Sequence, residues 1–234
     1  RRHTVRERAR RVPPAHRPPA AVWDWRLGLP VLQGTRLALR ELRLTDAPSL
    51  LRLLATEEVA RFIAPPPTTL EQFERFIAWT HRRRREGRHV CFAMVPDGGD
   101  VAVGIIQLRA LDAAFSTADW GFALGLPYWG TGTFLEAARL TLRFAFDEVG
   151  VWRLEARSLT ANGRGNAALR KTGCVQEGTL PHSFLKDGHL HDQTAWSLLE
   201  PDWRRVNGVW RPASRARQPV QPVAASAAGL VRAA

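Results

Sequence analysis

Gly130 and Gly132 stand in a short loop, Pro127-Tyr128-Trp129-Gly130-Thr131-Gly132, between an apolar strand-like run and an amphipathic run that opens at Thr133. Glycine lets a backbone come close to an anion, and the first turn of a helix offers unpaired N–H groups and the positive end of its dipole. A strand, such a loop and a helix, in that order, form a construction that binds phosphate. A second strand, Val151–Arg157, follows within the length of one βαβ unit, which strengthens the reading. The expected phosphate ligands are the N–H groups of Trp129, Gly130, Thr131, Gly132 and Thr133. Pro127 has no N–H, so one contact is expected to be missing at the first loop position.

The residues around this loop resemble the GNAT superfamily of acyl-CoA-dependent N-acetyltransferases, and within it the ribosomal-protein-alanine acetyltransferase-like branch. The superfamily pattern Gln/Arg-x-x-Gly-x-Gly/Ala is met at both glycines but not at its first position, where Pro127 stands. Tyr128 to Gly132 followed by Glu136-Ala137 is similar to the branch's Tyr-Trp-Gly-x-Gly-x-x-x-Glu-Ala. Asn162, Lys171 and Gly173 fall at the spacing of a later family segment, with Gly165 in place of its Ser and Cys174 in place of its Phe. Lys186-Asp187-Gly188, Asp192 and the run Thr194–Leu199 look like the closing hairpin, so the resemblance spans Thr35 to Asp202.

The resemblance implies transfer of an acetyl group from acetyl-CoA to a primary amine, a protein N-terminal α-amine first and a small amine (antibiotic, polyamine or amino-acid derivative) second. It also implies that Phe122, Ala123 and Leu124 offer a strand edge to the thioester arm, and that Asn162, Asn166 and Lys171 complete the cofactor site. Asp119, on the small-residue face of its strand beside that cleft, is the candidate general base; a solvated strand carboxylate is the alternative. Glu136 is the second candidate, or else it serves the helix N-terminus. Relatives supply a proton to the leaving thiolate from a Tyr after Asn162. Here the only Tyr is Tyr128, which leaves water, Ser or Cys, or no acid at all. A non-catalytic acyl-CoA-binding module is the reading from another class, motivated by that missing Tyr, by Pro127 and by the basic tails.

Composition bounds the rest. The chain has 234 residues and a formal net charge of +12, and ten of those charges lie outside residues 23–210. Residues 1–22 and 204–234 read as Arg-, Pro- and Ala-rich tails, disordered and solvated, with weak attraction to RNA or the ribosome as the sharper alternative. Residues 23–34 form a lead-in and residues 35–203 the enzyme-sized domain. With no apolar run of membrane-spanning length and no secretory h-region, a cytoplasmic protein without membrane contact is expected. Cys91 and Cys174 have no metal-ligand spacing and read as reduced, buried thiols, and no metal site is expected.

The elements that must position the loop follow from periodicity. Strands are expected over Arg36–Leu44, Val90–Val95, Val101–Leu108, Thr117–Leu124, Val151–Arg157, Cys174–Leu185 and His189–Leu199, with Trp120, Trp152 and Trp196 in the core. Helices are expected from an Asp46 N-cap to Ala55, from a Thr69–Gln72 capping box to Gly87, from Thr133 to Glu148, and over Gly163–Thr172. Arg82 to Arg85 read as a solvated basic helix end, and His182, His189 and His191 as lining the substrate cleft. The order of elements gives an α/β fold: a mixed, mostly antiparallel central sheet of about seven strands with helices on both faces. Since the tails hold no motif residue, deleting 1–22 and 211–234 should leave amine acetylation nearly intact. Thiol release by the folded truncated protein checks this, and lost turnover would place a tail in the site.

Overall fold

A computed structural model describes residues 24–207. Its strands are β1 (Leu32–Gln33), β2 (Leu37–Glu41), β3 (His89–Pro96), β4 (Gly104–Ala110), β5 (Thr117–Leu124), β6 (Arg153–Leu159), β7 (Val175–Lys186) and β8 (His189–Leu199). They form one sheet in the order β1-β2-β3-β4-β5-β6-β8-β7. Every neighbouring pair is antiparallel except β5 with β6. The helices are α1 (Ala47–Leu54), α2 (Glu57–Ala60), α3 (Leu70–Arg85), α4 (Thr133–Phe144), α5 (Gly163–Lys171) and α6 (Glu200–Asn207).

All but the last residue of β3 are buried, because helices cover both faces of the sheet. The period of two sorts its side chains between two cores. Val90, Phe92 and Met94 join Leu37, Leu39, Ile106, Leu108, Trp120 and the α4 residues Ala138 and Leu142. Cys91, Ala93 and Val95 join Leu50 and Leu54 of α1 and Phe73 and Ile77 of α3. The lead-in closes the first core at one end, where Trp25 meets Phe115 edge-on with ring centroids 5.7 Å apart.

Several expectations are corrected. Beyond the expected mixed sheet of about seven strands, the lead-in adds an eighth, β1, whose Leu32 pairs with Leu39 of β2; two residues are too few to show a period. Asp46 precedes α1 but makes no side-chain cap. Its carboxylate instead grips the Arg40 guanidinium through bonds of 2.7 and 2.8 Å and accepts the Arg43 N–H at 2.8 Å. Thr69 does cap α3 through the Gln72 N–H, while the return bond from Gln72 reaches Thr68, one residue early. Arg84 is buried, donating to Glu41 at 2.5 Å and to the Arg26 carbonyl, so the basic end of α3 is partly a tether rather than wholly solvated. Trp152 lies before β6 and is only half-buried. After Phe144 the helix widens into a π-turn, Ala145–Val149, that ends at left-handed Gly150. The tails expected at 1–22 and 204–234 lie outside the described residues except for 204–207, which complete α6.

The Arg40–Asp46 pair is nearly solvent-free, with side-chain exposures of 8% and 3%, and it anchors the turn into α1 on the edge of β2. Breaking a buried pair leaves an unpaired charge, whereas replacing both partners by apolar residues is often neutral. Asp46→Ala should therefore cost about 3–5 kcal/mol in urea unfolding, and Arg40→Met combined with Asp46→Leu should recover most of that loss.

Candidate active site

β5 and β6 pair only over Thr117–Arg153, Ala118–Leu154 and Asp119–Glu155. Beyond Asp119 the two strands separate, and the rest of β5, through Leu124, has no strand partner on that side. The gap continues into a cleft of about 1670 Å³, above the roughly 300–1,000 Å³ of a single small-molecule pocket. Phe122, Ala123, Leu124, Trp129, Gly130 and Gly132 line one wall, and Ser158, Asn162, Arg164 and Lys171 line the other. Asp119 and Glu155 lie at the floor, where the strands part.

The loop at the end of β5 begins as a 3-10 turn over Leu126–Tyr128. Pro127 falls in its first turn, where an N–H has no acceptor in any case, so it fixes the turn and removes nothing. The Trp129 N–H is spent on the Leu126 carbonyl at 3.1 Å, which removes it from the expected phosphate ligands. Thr133 N–H leans on the Thr131 hydroxyl at 3.4 Å. The N–H groups of Gly130, Thr131 and Gly132 have no acceptor among the described residues and stand ahead of the α4 N-terminus. Gly132 has φ +87°, and a Cβ there would lie 3.0 Å from the Arg36 guanidinium, which donates to the Thr131 carbonyl at 3.1 Å. Only glycine fits that position. The Trp129 indole N–H binds the Leu124 carbonyl at 2.7 Å, and Arg164 stacks over its ring at 4.2 Å, so the two walls touch at the cleft mouth. Phe122 packs on Phe134 of α4, with centroids 3.9 Å apart.

Asp119 lies on the α1–α3 side of the sheet, opposite Arg109, whose guanidinium donates to its carboxylate at 3.1 Å. Burial raises the Asp119 pKa above the ordinary carboxylate value, and Arg109 only partly opposes it. A carboxylate so placed is a stronger base than a solvated one. Glu155, its neighbour on β6, is held by Arg153 at 2.7 Å. Glu136 is elsewhere: its carboxylate accepts the N–H groups of Thr35 and Arg36 and does not line the cleft. This corrects the catalytic expectation for Glu136, which ties α4 to the loop between β1 and β2.

On the opposite wall, Asn162 caps α5 by accepting the Gly165 N–H at 2.9 Å. A Cβ at Gly165 would lie 2.4 Å from the Asn162 amide nitrogen, which accounts for glycine at a position where the resemblance suggests Ser. Asn166 is corrected as a cofactor ligand. Its amide donates to the Leu159 carbonyl at 2.9 Å and accepts from the Trp196 indole at 2.9 Å, so it holds β6, α5 and β8 together instead. His182, His189 and His191 do not line the cleft; the hairpin contributes Phe184 and Gln193. Lys186 clips that hairpin to the Ala60 and Ile63 carbonyls at 2.9 and 3.3 Å. Cys91 and Cys174 are free and buried, and neither lines the cleft. Ser158 does, with a buried hydroxyl that has no partner among the described residues; its place in the Leu154-Ala156-Ser158 alternation was the available signal. Tyr128 lines the cleft as well.

Among the described residues no group of three His, Cys, Asp or Glu side chains is placed to hold a metal, and no helix is long and apolar enough to cross a membrane. Compared with known proteins, residues 36–175 match the model of the "Acetyltransferase (GNAT) domain". The "Uncharacterized N-acetyltransferase p20" of Bacillus licheniformis is 26% identical over 173 residues, 74% of this chain and 97% of that protein. Among solved structures, RimL, described as a "Ribosomal L7/L12 alpha-N-protein acetyltransferase in complex with Coenzyme A", superposes with a TM-score of 0.66 at 17% identity, covering 73% of this chain and 98% of its own. The "Microcin C7 self immunity acetyltransferase MccE in complex with Acetyl-CoA and AMP" gives 0.65 at 19% identity, over 71% and 93%. At these identities the two structures speak for the fold, and the domain match, which covers more than half of the sequence, decides the family: the chain belongs to the GNAT acetyltransferases, enzymes that transfer an acetyl group from acetyl-CoA to an amine.

Proposed function

We propose that this acetyltransferase acts on a protein N-terminal α-amine, with Asp119 as its general base. The observation that carries the reading is the parting of β5 and β6 directly above Asp119. It sets an anion-binding loop and a partly buried carboxylate at two ends of one cleft. Gly130, Thr131 and Gly132 fit a diphosphate, since their N–H groups are unspent and a helix N-terminus lies behind them. The free side of Phe122–Leu124 fits an extended arm bearing amide groups, with Asn162 and Lys171 opposite. Acetyl-CoA supplies the acetyl group at this junction.

Asp119 removes the proton that the attacking ammonium must lose. A cleft of this size, bordered by the Arg61–Pro67 segment and the β7–β8 hairpin, supports an acceptor presented on a chain, as the description of RimL states for that protein. The small-amine reading keeps one support, MccE, whose description includes AMP. The non-catalytic reading loses one of its motives, since Pro127 costs the loop no bond. Thiol release with a panel of peptides and small amines tests the proposal: turnover confined to small amines would sink it.

Two variants test the site. Gly132→Val forces a side chain into left-handed backbone against Arg36 and should weaken acetyl-CoA binding at least tenfold by titration calorimetry; wild-type affinity in a folded variant would remove the loop from the cofactor site. Asp119→Asn should lower kcat by roughly 10²–10⁴-fold with acetyl-CoA affinity little changed. Because Asp119 works ionised and burial raises its pKa, wild-type kcat/KM should fall on acidification sooner than for an ordinary carboxylate. The deficit of the Asn variant should shrink at high pH, where solution supplies free amine.

A further inference from the structure

On β4, Gln107 lies opposite Gly121, one same-face step from the Arg109–Asp119 pair. That step is roughly 7 Å along the strands. Gly121 leaves room, for a Cβ built there would meet no atom within 4 Å. Gln107 lines the cleft, and its side chain makes one hydrogen bond, its Oε1 accepting from the Nε2 of His89 at 3.2 Å. Its amide nitrogen has no acceptor among the described residues.

His89 decides which way that amide faces. His89 is 2% exposed, its ring packs at a tilt against Trp79 with centroids 4.9 Å apart, and its Nδ1 is buried with no partner among the described residues. Burial lowers its pKa to about 4, so at neutral pH the ring carries one N–H. A proton on Nδ1 would be a buried donor with nothing to bind, which folded proteins rarely tolerate; a bare Nδ1 lone pair is the lesser cost. The proton therefore sits on Nε2 and takes the Gln107 oxygen. The Gln107 NH2 group is left pointing into the cleft, above the open space at Gly121.

We propose that Gln107, oriented by His89, donates a hydrogen bond to the carbonyl oxygen adjacent to the acceptor amine, so that the site selects α-amino carbonyl compounds over plain amines. An ammonium at Asp119 and its neighbouring carbonyl span the step between the two cross-strand pairs. The inference rests on Asp119 receiving the amine and names the chemistry that must flank that amine. His89 is a positioning residue; Gln107 is the group that touches substrate.

The test compares alaninamide with 3-methylbutan-2-amine, its apolar isostere, assayed at equal free-base concentration, in wild type, Gln107→Ala, His89→Leu and His89→Gln. Wild type should prefer alaninamide. In Gln107→Ala the ratio of the two kcat/KM values should fall by roughly 3- to 10-fold, the loss of one hydrogen bond, and the change should appear in KM. His89→Leu should lower the same ratio, and His89→Gln, which restores an N–H donor, should recover part of it. A wild type without preference, or a Gln107→Ala enzyme with the wild-type ratio, overturns the proposal. So does an equal loss on both amines, which would place the amide on the acetyl group. Turnover of alaninamide without turnover of any peptide would defeat the protein-acceptor reading and leave this one standing.

Discussion

The parting of β5 and β6 is the constraint on which the rest of the molecule depends. A parallel pair needs a crossover, and here the crossover is the loop and helix from Leu126 to Val149. Three residue pairs hold the strands together at their start. The free half of β5 is an exposed edge inside the protein, a state that folds normally avoid by covering or pairing the strand. Here it persists because β4 pairs with all of its other side, from Ala118 to Leu124, and because β6 is drawn away by seven pairs with β8.

Around that gap, polar contacts hold the walls. Glu136 binds the backbone at Thr35 and Arg36, and Arg36 in turn binds the Thr131 carbonyl. The Pro127–Gly132 loop is thereby tied to the first strands of the sheet. Asn166 does the same on the other wall, joining the Leu159 carbonyl to the Trp196 indole. Both side chains spend their hydrogen bonds on holding elements together, as partly buried polar groups usually do. Lys186 closes the third side by linking the last hairpin to the α2 segment.

The chemistry separates along the cleft. At the helix end, unspent N–H groups and a dipole favour negative charge. At the floor, Asp119 and Glu155 offer carboxylates whose charge is tempered by Arg109 and Arg153. Groups that favour negative charge and groups that carry it thus stand apart in one channel.

Much of this was legible in local sequence, where physics acts over a few residues. The period of two fixed β5 as Thr117–Leu124, and the left-handed positions Gly130, Gly132 and Gly150 bounded α4 and its π-turn. The same alternation put Asp119 and Gly121 on one face of β5. Local pattern fell short wherever the partner was placed by the fold and not by the local turn. Asp46 looked like a helix cap, and only the fold brought Arg40 to its carboxylate. Glu136 looked catalytic, and only the packing of α4 on the first strands turned it to Thr35, about a hundred residues away. Gln107 carried no signal at all, since nothing between His89 and Gln107 in the sequence says that their side chains meet across two strands. The sequence by itself determined the elements and the glycine loop that leads into α4, because propensity, turns and periodicity are short-range. Tertiary structure decided which polar side chains remain free to do chemistry, because a hydrogen bond is assigned only when both partners have been placed.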